Sequence, residues 1–252
     1  MKKKRHETKN TISNFLPILN SQFLIVYGQL VQQEWVRTYS GGQNNDYLYD
    51  MTIDTQSNVY ITGYITTLTQ NANFCTIKYN SSGVQQWVST YNGPGTNSTD
   101  VAYAIAVDNA GFVYVTGSSE QTGWLTDAYC TIKYDSSGNQ IWVSRYKNLP
   151  NGQDDPAAIV VDNSGNVYVT GASQSSGGMD FLTIKYGPNG DSLWVKRFAG
   201  YDLLDDYANS ICLDNQGNVY VSGTCQSSGY HLCTILSRVG SSSPDTSQDR
   251  KS

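Results

Sequence analysis

One motif returns four times in this chain. Trp35, Trp87, Trp142 and Trp194 open the strings WVRTY, WVSTY, WVSRY and WVKRF, at spacings of 52, 55 and 52 residues. Between them come MTID, IAVD, IVVD and ICLD, then VYITG, VYVTG, VYVTG and VYVSG, then CTIKY, CTIKY, LTIKY and CTILS. This period constrains the fold more than any other feature, because each repeat must be one supersecondary unit that buries its apolar face against the next. The recurring segments alternate side chains with period two and favour β-branched and aromatic residues, the pattern of half-buried strands. DNAGF, DNSGN and DNQGN separate the first strand from the second, and NSSG, DSSG and GPNG the third from the fourth. In such turns Asp and Asn bond the local backbone and Gly supplies a positive φ.

Four short strands per period predict an all-β chain, a β-propeller of four-stranded antiparallel blades. With IAVD as the innermost strand, three complete blades span about 46–91, 100–146 and 154–198, and a fourth (206–236) has three strands. An unpaired Trp strand, Glu34–Tyr39, stands at the other end of the chain. Two readings of about four blades follow. Either that strand supplies the missing outer strand and closes a four-blade ring, removing two exposed edges, or the blades are part of a larger propeller. The propeller is assigned to residues 29–238, and 239–252 reads as a polar disordered tail.

Composition narrows the function. Only 15% of residues are charged, against 23 Gly, 19 Tyr and 5 Trp, which excludes coiled coils and disordered chains. Formal charge is −5, and five cations with one acid fall in the first ten residues, so residues 29–252 hold 11 cations and 20 acids. That balance argues against nucleic acid as a partner. The start, MKKKRHETKN followed by FLPILNSQFLIVYG, is too short for a membrane span and has the order of parts of a signal peptide over residues 1–28, or is a disordered leader. The expected location is therefore outside the cell or on its surface. Among five cysteines, Cys75, Cys130 and Cys233 take the place that Leu182 fills in another repeat, which predicts small buried apolar side chains. Cys212 and Cys225 flank one strand and could pair.

The runs AIAVDNAGFVYVTG and DAYCTIKYDSSGNQIWVSRY resemble the bacterial SBBP-type β-propeller repeat, over roughly Glu34 to Thr234. The first half of the repeat also resembles NHL repeats, and DSSGNQIW is similar to quinoprotein propellers, without their catalytic residues. The SBBP resemblance implies a blade found in exported and cell-surface proteins, often beside other modules, and does not itself imply a catalytic activity.

Candidate sites lie in the long loops, which emerge on one face. Asp46, Asp100, Asp154 and Asp206 each stand eight residues before the turn residues Asp54, Asp108, Asp162 and Asp214. A ring of four carboxylates could hold Ca²⁺, which takes six to eight oxygens; alternatively each accepts N–H bonds from its own loop, as every blade requires. Trp124 falls outside the repeat and, with Tyr47, Tyr103 and Tyr207, could stack on a sugar or a protein partner; Tyr49, Tyr201 and Tyr230 are neighbours on the same face. The histidines are His6 and His231, too few for a His-dependent triad or a three-His zinc site. The pairs Asp154–Asp155 and Asp205–Asp206 read as solvated loop acids. The expectation is a noncatalytic scaffold or binding module using its long-loop face, the alternatives being a lectin-like carbohydrate binder or a Ca²⁺-dependent lyase or glycosidase.

Overall fold

A computed structural model describes residues 33–42, 45–66, 71–95, 98–120, 127–200, 204–227 and 229–238. The leader 1–28, the tail 239–252, Trp124 and Tyr201 lie outside the described residues. The chain divides into two units, Met1–Glu34 and Trp35–Ser252, and all fifteen strands belong to the second.

Four antiparallel sheets follow the repeat. β1 (Tyr47–Ile53), β2 (Val59–Thr66), β3 (Ala72–Tyr79) and β4 (Gln85–Tyr91) form the first, in that order. β5 (Asp100–Val107), β6 (Val113–Glu120), β7 (Asp127–Tyr134) and β8 (Gln140–Tyr146) form the second. The third holds β9 (Asp154–Val161), β10 (Val167–Gln174), β11 (Met179–Tyr186) and β12 (Ser192–Phe198), and the fourth β13 (Asp206–Leu213), β14 (Val219–Gln226) and β15 (Tyr230–Ser237). No helix occurs among the described residues.

Each letter of the repeat has a task. The VY tyrosines Tyr60, Tyr114 and Tyr168 are buried in the interface with the next sheet. Their hydroxyls reach back 2.9, 2.9 and 3.1 Å to the turn carboxylates Asp54, Asp108 and Asp162. A large ring is thus buried without orphaning its hydroxyl. The buried threonines Thr62, Thr116 and Thr170 meet Thr76, Thr131 and Thr183 at 3.0–3.2 Å and tie second strands to third strands. Three cores are each made by residues of two adjacent sheets, such as Tyr60 and Phe74 with Val115 and Ile132, and a fourth, of Ile65, Cys75, Ile77 and Tyr79 in the first sheet, packs under Trp35. Burying one such side chain is worth about 1.5–3 kcal/mol.

Tryptophans lock one blade to the next. Trp87 Nε1 donates to Ser136 O at 3.0 Å and Trp142 Nε1 to Pro188 O at 3.0 Å, each carbonyl lying in the last turn of the following sheet. The Trp87 ring lies 2.7 Å from where a Cβ on Gly138 would stand, and Gly138 has φ +84°. Glycine is required there twice over, by conformation and by space.

Trp35 makes the same contact, its Nε1 donating to Ser81 O at 3.1 Å while Arg37 Nε donates to Gly83 O at 2.7 Å. The segment therefore sits on the first sheet as the outer strand of a preceding blade would. It does not pair with β15: the fourth sheet remains three-stranded, and the packed sheet pairs are first with second, second with third and third with fourth. Among the described residues the four-blade ring is not closed. Leu232 on β15 is 97% exposed, and Leu48, Met51 and Ile53 on β1 are open at the other end.

Candidate functional site

The four inner strands share an irregularity that the repeat letters do not show. The register skips one residue in each, between Leu48 and Asp50, Ala102 and Ala104, Pro156 and Ala158, and Ala208 and Ser210. The bulged residues are Tyr49, Tyr103, Ala157 and Asn209. A bulge leaves its residue out of the ladder and re-aims its side chain. All four line one pocket of about 370 Å³, together with Asp155, Pro156, Ala172, Tyr207 and Ala208. The pocket thus gathers residues from four blades at the start of their inner strands, where the long loops enter.

These positions are among those at which the blades differ. Three residues after the repeated Asp stand Tyr49, Tyr103, Ala157 and Asn209; one residue after it stand Tyr47, Val101, Asp155 and Tyr207. Variation is not confined to them, since Asp50, Ala104, Ala158 and Ser210 also differ, but the repeated Asp and the turn Asp are kept while the bulged residue changes, which suits a job other than folding. Tyr49 and Tyr103 meet edge to face, with centroids 5.2 Å apart and planes at 80°. Tyr207 Oη donates to Asp205 Oδ2 at 3.3 Å, and Ser118 Oγ reaches Tyr103 Oη at 3.5 Å.

The pocket carboxylate is Asp155. Burial pushes it up to about 6, helped by the charges of Asp127 and Asp154 and opposed by Gln153, whose Nε2 donates to Asp155 Oδ2 at 2.7 Å. Burial also raises Asp100, Asp127, Asp154 and Asp206. In the turn carboxyls Asp54 and Asp162 burial raises, but bonds from Asn58 and Asn166 outweigh it and hold them low. A carboxyl raised on folding stabilises the fold as pH falls through its folded value, and a lowered one costs stability below the ordinary carboxylate range. The melting temperature is therefore expected to rise from pH 8 to a maximum at about pH 5 and to fall below about pH 4. Asp155→Asn should remove most of the rise between pH 7 and pH 5. A melting temperature flat or falling over that interval contradicts this assignment.

The four repeated aspartates hold loops, each in its own blade. Asp46, Asp100, Asp154 and Asp206 accept N–H bonds from Gly41, Gly93, Asn148 and Gly200 at 2.8, 2.7, 3.1 and 2.6 Å. The second oxygen takes Thr66 N at 3.1 Å in the first blade, Ser119 and Ser173 hydroxyls in the middle blades, and Gln226 N at 3.0 Å in the fourth. Both oxygens of every one are thereby committed within the blade. Among the described residues no three His, Cys, Asp or Glu side chains are grouped so as to hold a metal ion.

Tyr103 and Tyr207 line the pocket, whereas Tyr47 stacks on Tyr64 at 5.1 Å and stands outside its lining. Asp155 corrects the solvated-pair reading: Asp154 is fully buried in its blade while its neighbour faces the pocket. Residues adjacent on a strand point to opposite faces. Cys75 and Cys130 are buried and their thiols pushed up to about 12 by burial, as apolar fillers should be. Cys225 bonds to Cys233 rather than Cys212, which is exposed and free. The two partners face each other across the β14–β15 pair, offset by one diagonal step from Cys225↔His231. His231 is exposed on β15.

Three segments match the SBBP β-propeller repeat model, residues 34–67, 86–120 and 141–178. Each segment runs from a Trp strand through the first two strands of the next sheet, so sequence repeat and blade are out of phase by one strand. Among solved structures, a protein of unknown function from Dyadobacter fermentans DSM 18053 is similar at 12% identity and TM-score 0.53. The match covers 76% of this chain and 53% of that one, so this chain spans about half the length of that relative. A GH43 endo-arabinanase from Bacillus licheniformis matches at 14% identity and TM-score 0.45, over 79% of this chain and 74% of its own. The likeness to the Dyadobacter protein shows the fold alone. No curated protein sequence matches.

Proposed function

Because three segments of this chain match the SBBP β-propeller repeat, we propose that it is a noncatalytic binding module, exported or held at the cell surface, whose ligand enters the pocket at the heads of the inner strands. The observation that carries this reading is the coincidence of three features at one place. The bulges of four blades point there, the bulged residues themselves change from blade to blade, and the lining is concave, largely apolar and marked by few polar groups. Ligand sites have that composition, and repeat proteins vary the residues of their binding face while keeping those of the stack.

Binding rather than turnover is favoured by the carboxylates. Acid–base cleavage of a glycoside needs two carboxyl groups flanking the scissile bond. Among the described residues one carboxylate, Asp155, lines the pocket. Three tyrosines around it also suit stacking on a neutral sugar, which is the lectin-like form of the same reading.

A panel of small ligands, containing neutral monosaccharides, organic cations and amino acids, tests the proposal by thermal shift on the full chain. At least one compound should raise the melting temperature, by the equivalent of about 2.7 kcal/mol at a hundred times its Kd. Tyr103→Ala should abolish that shift. A shift that survives both Tyr103→Ala and Tyr207→Ala places the site elsewhere and overturns the reading.

A further inference from the structure

The chemistry of the pocket narrows its occupant, an inference that rests on the binding-module reading above. Asp155 is the charged side chain of its lining. Asp127 and Asp154 add charge of the same sign close enough to act on Asp155, and Asp205 stands beside Tyr207. Lys147 and Arg197 offset Asp127 and Asp154, while the donor groups of the neighbouring cations are held away from Asp155. Lys147 Nζ donates to the Asp127 and Gly152 carbonyls at 2.6 and 2.8 Å. Arg145 donates to Ser119 and Tyr91, and Arg197 is paired with Asp180 at 3.0 Å. The pocket therefore combines the carboxylate of Asp155, against which no cation stands among the described residues, with the rings of Tyr49, Tyr103 and Tyr207.

We infer that the pocket takes an organic monocation of the alkylated-ammonium class, held by the three tyrosine rings and by Asp155. An anion would be repelled by Asp155. A neutral polyol would leave the half-buried carboxylate unpaired. A bare ammonium would lose its hydration to walls made largely of Pro156, Ala157, Ala172 and Ala208. An ammonium carrying methyl groups presents those walls with apolar surface, and its charge is attracted both to the ring faces and to the carboxylate.

Calorimetric titration of the full chain with choline chloride tests this, against the uncharged isostere 3,3-dimethylbutan-1-ol at matched ionic strength. Choline should bind at least about tenfold more tightly than the isostere. Asp155→Asn should cut choline affinity severalfold and narrow its lead over the isostere while leaving the isostere unchanged; the side chain is half-buried and Asn is nearly isosteric, so the variant is expected to fold. Tyr103→Phe should retain most of the choline affinity because the ring remains. Equal affinity for choline and isostere, or choline binding indifferent to Asp155→Asn, overturns the cation inference. If the isostere or a neutral monosaccharide is the tighter ligand and loses affinity in Tyr103→Ala, the cation class fails and the pocket reading stands. If no compound binds through Tyr103 or Tyr207, both fail.

Discussion

Gly117→Ala is expected to lower the stability of the folded chain by about 3 kcal/mol or more. A Cβ on Gly117 would stand 2.0 Å from the Val101 carbonyl oxygen, 2.6 Å from Ala102 Cα and 2.8 Å from Phe74 Cζ. Two of these are backbone atoms, which no rotamer change can move aside. The collision exists because the bulge at Tyr103 drives the β5 backbone against β6, and the same contact recurs at Gly63, Gly171 and Gly223. Glycine in the VYVTG motif is thus the counterpart of the pocket bulge, so the substitution should damage fold and pocket together. Gly229, with nothing within 4 Å of its Cβ position, serves as control, and Gly229→Ala should stay within about 0.5 kcal/mol. Urea unfolding of both variants measures the difference. Equal midpoints would mean that β5 and β6 do not approach as described.

The second large effect is expected at Asp100. Its side chain is fully buried and takes Gly93 N at 2.7 Å, Ser98 Oγ at 3.3 Å and the hydroxyl of Ser119, which itself accepts from Arg145 Nη1 at 2.7 Å. Asp100→Ala would orphan the loop N–H and the hydroxyls at once. Bonds to a charged group are worth about 1.5–3 kcal/mol each and an unsatisfied buried donor costs about 1–3, so a net loss of about 3 kcal/mol is expected. For a domain of this size that lowers the melting temperature by about 6–12 °C. Asp100→Asn keeps one acceptor and should lose about half as much. Because both Asp100 oxygens bond within its own blade, chelator is expected to leave the melting temperature of the parent chain unchanged; a drop on chelation would return the repeated aspartates to the role of Ca²⁺ ligands.

Much of the fold was legible because its causes are local. Strand positions follow from period-two alternation, and turns such as Asp108–Phe112 declare themselves through Asp and Gly: Asp108 Oδ1 accepts Ala110 N and Phe112 N at 2.9 Å each. The buried Cys75 and Cys130 were readable from their exchange with Leu182. The pocket was less so. A bulge adds one residue to a strand and reverses its parity, and nothing in DVAYAIAV marks Tyr103 as the residue left out of the ladder. Asp155 was hidden by its neighbour, since a pair of acids in sequence does not say that one is buried in a blade while the other enters a cavity. The Cys225–Cys233 bond likewise needed the register of β14 on β15. At Cys225 the middle blades carry Ser119 and Ser173, which bond to their aspartates; the fourth blade uses Gln226 N instead, which frees that position for sulfur. Ring closure depended on where Trp35 sits, and it meets the first sheet's turn without meeting β15.

The claim that carries the functional reading is that residues re-aimed by four bulges form one ligand site. Backbone ¹⁵N–¹H spectra of the full chain, recorded during titration with the ligand that raises the melting temperature most, bear on it directly. The expected result is a set of shift changes concentrated on Tyr49, Tyr103, Asp155, Ala157, Tyr207 and Asn209, one cluster drawn from all four inner strands. Changes confined to the outer turns or to the β15 edge, with those six unmoved, would contradict it.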